Sequence, residues 1–239
     1  MTTKAVATVL VVQHTRTGGP GRVGDWLRAA GLALEVVRPF EGEELPDELG
    51  GRPLLVLGGG FLPDDDERAP WLPATRRLVA QALDGGTPVL GICLGGQLLA
   101  HVAGGRVRGS HGRPEFGSTR IALRPEAADD PLLHGLGDAV VAIERHVDQI
   151  TELPPGSAWL ASTEACPHQA FRVGERAWGV QFHPEAEADR IAAWDPEPLA
   201  ERGFDRDRLH AAALDDEGAA VAAWSEVTRR FARVCATTP

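Results

Sequence analysis

The sequence has no tyrosine and no asparagine, and Lys4 is its single lysine. These gaps record the coding bias of a GC-rich genome and exclude no chemistry. Other shortages are more informative. Three cysteines in 239 residues, odd in number and far apart, exclude a disulfide framework and imply reduced thiols, one of them free for catalysis. Basic residues are outnumbered 24 to 34, and a net charge of −10 argues against a nucleic-acid or anionic-membrane surface, so the expected partner is a small molecule. The first apolar run, residues 5–12, is too short to span a bilayer and reads as a strand. No signal peptide or membrane anchor is expected, and the location expected is cytoplasmic. The spacings CxxC, HxxxH and HExxH are missing, so no metal centre is expected. No repeat, low-complexity tract or interdomain linker is visible.

What is present predicts one α/β domain over residues 1–239, with its core at about 5–235. Residues 5–13 form a valine-rich run typical of a strand covered on both faces. Val23, Trp26, Leu27 and Ala30 recur at helical spacing before Gly31. Residues 34–37 and 54–57 are further short apolar runs, and Leu78, Val79, Ala82 and Leu83 mark a helix ended by Gly85. Strands alternating with helices predict a mostly parallel, twisted sheet flanked by helices, with functional groups at the carboxyl ends of its strands. After Gly105 the texture changes. Val107 and residues 117–123, 139–144, 158–162, 169–173 and 178–182 read as added antiparallel strands. Val221, Trp224, Thr228, Phe231 and Cys235 predict a closing helix. Residues 64–67, Asp-Asp-Asp-Glu, read as a solvated loop rather than a cation site.

The chemistry centres on Gly91-Ile92-Cys93-Leu94-Gly95-Gly96-Gln97. A G-x-C-x-G between an apolar run and a helix start near Gln97 is the cysteine form of a nucleophile elbow. Its glycines permit the sharp turn, and the helix N-terminus beside the sulfur favours a thiolate. Gln181-Phe182-His183-Pro184-Glu185 supplies a histidine and a carboxylate. If that stretch is extended, both side chains fall on one face and Glu185 can orient the imidazole. Read singly, His183 suits packing, and Glu185 suits the first turn of a helix over 186–194. Cys166 lacks an elbow, and Cys235 lies on an apolar stripe, so both read as structural. No G-K-[ST] follows Gly58-Gly59-Gly60, which argues against a phosphate cradle.

Together, residues 91–97 and 181–185 resemble the two signature motifs of class I glutamine amidotransferases, in order and on the expected strand ends. Gly58-Gly59-Gly60, Trp71-Leu72, His146-Val147-Asp148 and residues 166–171 resemble the free-standing branch similar to the amidotransferase portion of GMP synthase. The resemblance covers residues 6–234 and implies a flavodoxin-like sheet. It implies Cys93 as nucleophile, His183 as base and acid, Glu185 as orienter, and the N–H groups of Gly59 and Leu94 as an oxyanion hole. Gln97 would hold the amino-acid end of the substrate, with Arg145 to Asp148 along the same pocket, partly through backbone, His146 and Asp148 being the side chains of interest. Gly60 stands where relatives often carry proline. The implied reaction is hydrolysis of the L-glutamine side-chain amide through a γ-glutamyl thioester, with no cofactor. With Pro239 the last residue, the ammonia acceptor is expected on a separate synthase subunit. The alternative is a γ-glutamyl peptidase acting on γ-glutamyl conjugates; a non-catalytic regulatory subunit ranks lower.

Overall fold

The computed structural model describes residues 7–237. Residues 5 and 6, expected to begin the first strand, lie outside the described residues. The amino-terminal half alternates β1 (Thr8–Val12), α1 (Gly21–Ala29), β2 (Ala33–Val37), β3 (Leu54–Val56), α2 (Leu72–Asp84), β4 (Val89–Ile92) and α3 (Leu94–Val102). The rest contributes β5 (Arg106–Arg108), β6 (Glu115–Leu123), β7 (Ala139–His146), β8 (Gln149–Glu152), β9 (Ala158–Ser162), β10 (Ala170–Val173) and β11 (Ala177–Val180). Three helices follow among the described residues: α4 (Asp189–Ala192), α5 (Pro196–Ala200) and α6 (Arg206–Ala236).

Among the described residues, nine strands form one sheet in the order β2-β1-β3-β4-β11-β10-β9-β6-β7. From β2 to β11 neighbours run parallel, and from β11 to β7 they run antiparallel. This is the mostly parallel, helix-flanked α/β sheet with added antiparallel strands that the alternation predicts. The parallel strands are apolar because both faces are covered: β3 and β4 are buried at every position. One core cluster, containing Val9, Val11, Leu55 and Trp178, lies under α1 and α6; the other, containing Leu10, Leu54 and Val56, lies under α2 and α3.

Several boundaries differ from the sequence reading. Helix α3 begins at Leu94, directly after the elbow, rather than near Gln97. Val107 pairs with β8 in a separate two-stranded sheet, and β8 itself is too short and polar to announce a strand. The closing helix starts at Arg206, where Asp205 accepts a hydrogen bond from Arg208 N as its cap. Its first turns are rich in alanine and charge, which hides the apolar stripe. Val221 is exposed, and the buried face runs through Ala213, Ala220, Trp224, Val227, Phe231 and Cys235. The acidic loop is clamped by arginines: Arg76 pairs with both oxygens of Asp66 at 2.7 and 2.8 Å, and Arg68 pairs with Asp65.

Candidate active site

The elbow forms because the residues on either side of Cys93 allow two backbones to meet. Strand β4 sits between β3 and β11, and Cys93 N donates to Val180 O at 2.8 Å. The chain must then reverse into α3. Cys93 takes φ 52°, ψ −109°, a strained setting for any residue with a β-carbon. Gly95 faces the carbonyl of Val56 so closely that a β-carbon there would lie 2.0 Å from its oxygen. Helix α3 has no side-chain cap, so its first N–H groups remain directed toward the Cys93 end.

Beyond β11, the chain leaves the extended conformation. His183 makes a lone antiparallel bridge to Ile143 of β7, its N–H donating to Ile143 O at 2.7 Å, and Pro184 and Glu185 form a turn. Pro184 and Glu185 therefore lie in a turn rather than in extended backbone, and within residues 186–194 the α-helix is confined to α4. The two side chains still meet: His183 Nδ1 lies 2.7 Å from Glu185 Oε1. Helix α1 holds this turn in place. The Arg22 guanidinium donates to Pro184 O at 3.0 Å and pairs with Glu217 of α6 at 2.6 Å, and Arg22 N donates to Glu185 O.

Cys93, His183 and Gly59 line one cleft of about 350 Å³, with Arg145, Arg190 and Trp194 along the same walls. Burial pulls the His183 pKa down, but the Glu185 carboxylate and the Cys93 sulfur outweigh it and raise the imidazole well above its ordinary range. Burial raises Glu185, and the opposing charge of His183, its hydrogen bond and Arg190 bring it below the usual carboxylate range. Gly59 packs on Leu94 and His14; a β-carbon there would meet Leu94 Cδ2 at 2.8 Å. His14 accepts a hydrogen bond from Trp71 Nε1 at 2.9 Å, and burial lowers its pKa to about 4, so it is neutral beneath the glycine loop.

The other sequence candidates lie behind this cleft. Gln97 is buried and donates to Gln181 Oε1 at 3.1 Å and to Asp148 O at 3.3 Å. Gln181 Nε2 in turn approaches Cys93 Sγ at 3.7 Å, a contact the sequence reading did not assign, although Gln181 opens the second motif. The Asp148 carboxylate accepts from Ser110 N, so Asp148 meets Gln97 through its backbone. His146 faces inward, to Glu115 at 3.2 Å and Glu144 at 3.4 Å, and does not line the cleft. Arg190 and Trp194 were also missed, because nothing local marks residues after a turn as cleft walls.

Glu115, His146 and Cys166 offer atoms within 4.8 Å of one another, a spacing a metal ion could bridge. The cluster is better satisfied as a polar network. Glu115 Oε2 accepts from His146, from Thr163 Oγ1 and from Gln169 Nε2. Burial, then Glu144 and Glu115, push the Cys166 thiol far above the ordinary range, which disfavours the thiolate a metal needs.

A thiol on a strained strand-to-helix turn, sharing a cleft with a carboxylate-oriented histidine, is an arrangement that supports acyl transfer through sulfur. The family model for glutamine amidotransferase class-I matches residues 22–200, and the chain belongs to this family. It is 42% identical over 143 residues to the glutamine-hydrolyzing GMP synthase of Porphyromonas gingivalis, covering 59% of this chain but 26% of that protein. The chain thus spans about a quarter of that relative's length. It is 38% identical over 157 residues to one subunit of the glutamine-hydrolyzing GMP synthase of Methanopyrus kandleri, covering 65% of this chain and 77% of the relative. Among solved structures, a glutamine amidotransferase from Thermotoga maritima has the same fold at TM-score 0.85 and 24% identity, covering 96% of this chain and 99% of that one. A glutamine amidotransferase from Methylobacillus flagellatus superimposes at TM-score 0.82 and 28% identity, covering 96% and 94%.

Proposed function

We propose that this chain hydrolyses the side-chain amide of L-glutamine by acyl transfer through Cys93. The observation that carries the reading is the shared cleft of Cys93 and His183, with Glu185 2.7 Å from His183 Nδ1. That bond occupies Nδ1 and leaves Nε2 for the thiol. The raised basicity of His183 suits it to take the proton from sulfur. Sulfur then attacks the amide carbon, and the N–H groups of Gly59 and Leu94 receive the oxyanion. His183 returns the proton to the departing nitrogen, the C–N bond breaks, and ammonia leaves a γ-glutamyl thioester. Water, deprotonated by His183, attacks that thioester and releases glutamate and the free thiol. Buried Gln97 and Gln181 act as positioning residues beneath the sulfur.

The ammonia passes to an acceptor on a separate synthase subunit. This reading is supported by the Methanopyrus relative, which is itself named as one subunit of a GMP synthase. A second reading, hydrolysis of γ-glutamyl conjugates, is favoured by the cleft, which continues past Cys93 along Arg145 and Trp194. One experiment tests both. The protein is incubated with L-glutamine and with γ-glutamyl peptides, and glutamate, ammonia and amine are measured. Turnover is expected to fall at least about 10³-fold in Cys93→Ala; turnover that survives this substitution would sink the mechanism.

A further inference from the structure

The cleft has a charge its surroundings do not predict. The protein carries a net charge of −10, yet among the described residues no acidic side chain lines the cleft while Arg145 and Arg190 both do. Arg190 is partly spoken for: one nitrogen lies 3.9 Å from Glu185 and another donates to Thr17 O. Arg145 is not. Its guanidinium stacks on Trp194 at 5.0 Å and has no hydrogen-bond or ion-pair partner among the described residues. The Trp194 indole N–H is buried and equally lacks an acceptor. Partial burial and then the neighbouring Arg190 lower the Arg145 pKa, against the opposing Cys93 sulfur.

Arg145 and Trp194 also border a second pocket of about 210 Å³, walled by Phe116, Pro198 and Leu199 and lined too by Asp195, which accepts from Glu197 N, and by Arg202; Cys93 does not reach it. The pair therefore stands at the boundary between the space around the sulfur and a space beyond it. Ammonia leaving from glutamine would make no use of that further space.

We propose that Arg145, stacked on Trp194 and flanked by Arg190, holds a carboxylate carried by the leaving amine of an acidic γ-glutamyl conjugate. The inference rests on the acyl-transfer reading above and extends its substrate class. The amide C–N bond breaks, the C–S bond to Cys93 forms, and the amino acid departs with the proton returned by His183. Water then completes the release of glutamate. Arg145 is itself exposed to solvent, and its stacking surface, Trp194, is buried; a charge-assisted guanidinium–carboxylate contact made there contributes about 10- to 100-fold in affinity.

The test compares γ-glutamylglycine, whose leaving amine carries a carboxylate, with γ-glutamylethylamide, whose leaving amine is neutral. Binding to full-length Cys93→Ala protein is measured by calorimetry, and kcat/KM is measured with the unsubstituted chain. The expected result is a preference for the acidic conjugate of about 10- to 100-fold, collapsing toward unity with Arg145→Gln and partly retained with Arg145→Lys. Selective binding without cleavage would sink the acyl-transfer reading while supporting the subsite. Cleavage of both without acid preference, a preference that survives Arg145→Gln, or no binding of either compound would overturn the subsite. So would an equal loss on all γ-glutamyl compounds including glutamine, since Arg145 would then hold the α-carboxylate they share.

Discussion

At the scale of single residues, three cysteines receive three environments. Burial pushes Cys235 up to about 12 and Cys166 higher still, so both are inert thiols. Cys93 opens into the cleft. Iodoacetamide is therefore expected to label the folded protein once, at Cys93, and intact mass spectrometry of Cys93→Ala should show no adduct. His14 provides a second prediction. Its folded pKa of about 4 lies below the ordinary 6.5, so the unfolded chain binds the extra proton first as pH falls. The stability due to neutral His14 is full above pH 6.5 and is lost progressively as pH falls through about 4, amounting to about 3 kcal/mol. Urea denaturation midpoints measured across this range should fall with pH, and His14→Gln should flatten the slope.

At the scale of elements, the elbow depends on how closely α3 approaches β3 and β11. A methyl group at residue 95 would meet the Val56 carbonyl oxygen at 2.0 Å, and neither backbone can yield without moving the nucleophile. Gly95→Ala is expected to destabilise by about 1–3 kcal/mol or more and to lower kcat/KM beyond what the loss of folded protein explains. Denaturation and kinetics on the soluble fraction check both parts. The second motif is held from outside its own strand. Arg22 of α1 pins the Pro184 turn, and Trp224 of α6 packs 4.8 Å from Phe182 while its indole N–H donates to Val141 O. A side chain at residue 183 is thus aimed by elements far away in sequence.

At the scale of the whole molecule, β11 stands between β4 and β10 and joins the parallel half of the sheet to the antiparallel half. We propose that the chain folds as one domain because neither half is complete without this late strand. Without β11, buried β4 would be a bare apolar edge. Tryptophan fluorescence and far-ultraviolet circular dichroism should report a single coincident urea transition; two separated transitions would mean two folding units. The cleft's cationic lining on an acidic molecule is a property of this scale too, since Arg145 from β7 and Arg190 from α4 meet only after the sheet closes.

The sequence by itself determined what local patterns can carry. The fully apolar strands, the elbow glycines and the His-Pro-Glu motif were legible because each expresses a constraint within a few residues: burial on both faces, a tight turn, a carboxylate beside an imidazole. They placed Cys93, His183 and Glu185 as candidates before any fold was known. Tertiary structure decided the rest. That His183 shares the cleft with Cys93 depends on a turn, not an extended strand, and on anchors in β7, α1 and α6. Whether His146 faces the cleft or the buried Glu115 depends on which side of β7 is covered, and it faces Glu115. The resemblance sets Arg145 beside the pocket, but Arg190 and Trp194 carry no local signal, because an arginine on a short helix looks the same in sequence whether it meets solvent or a cleft. Their shared position comes from long-range packing, which brings separate elements to one wall.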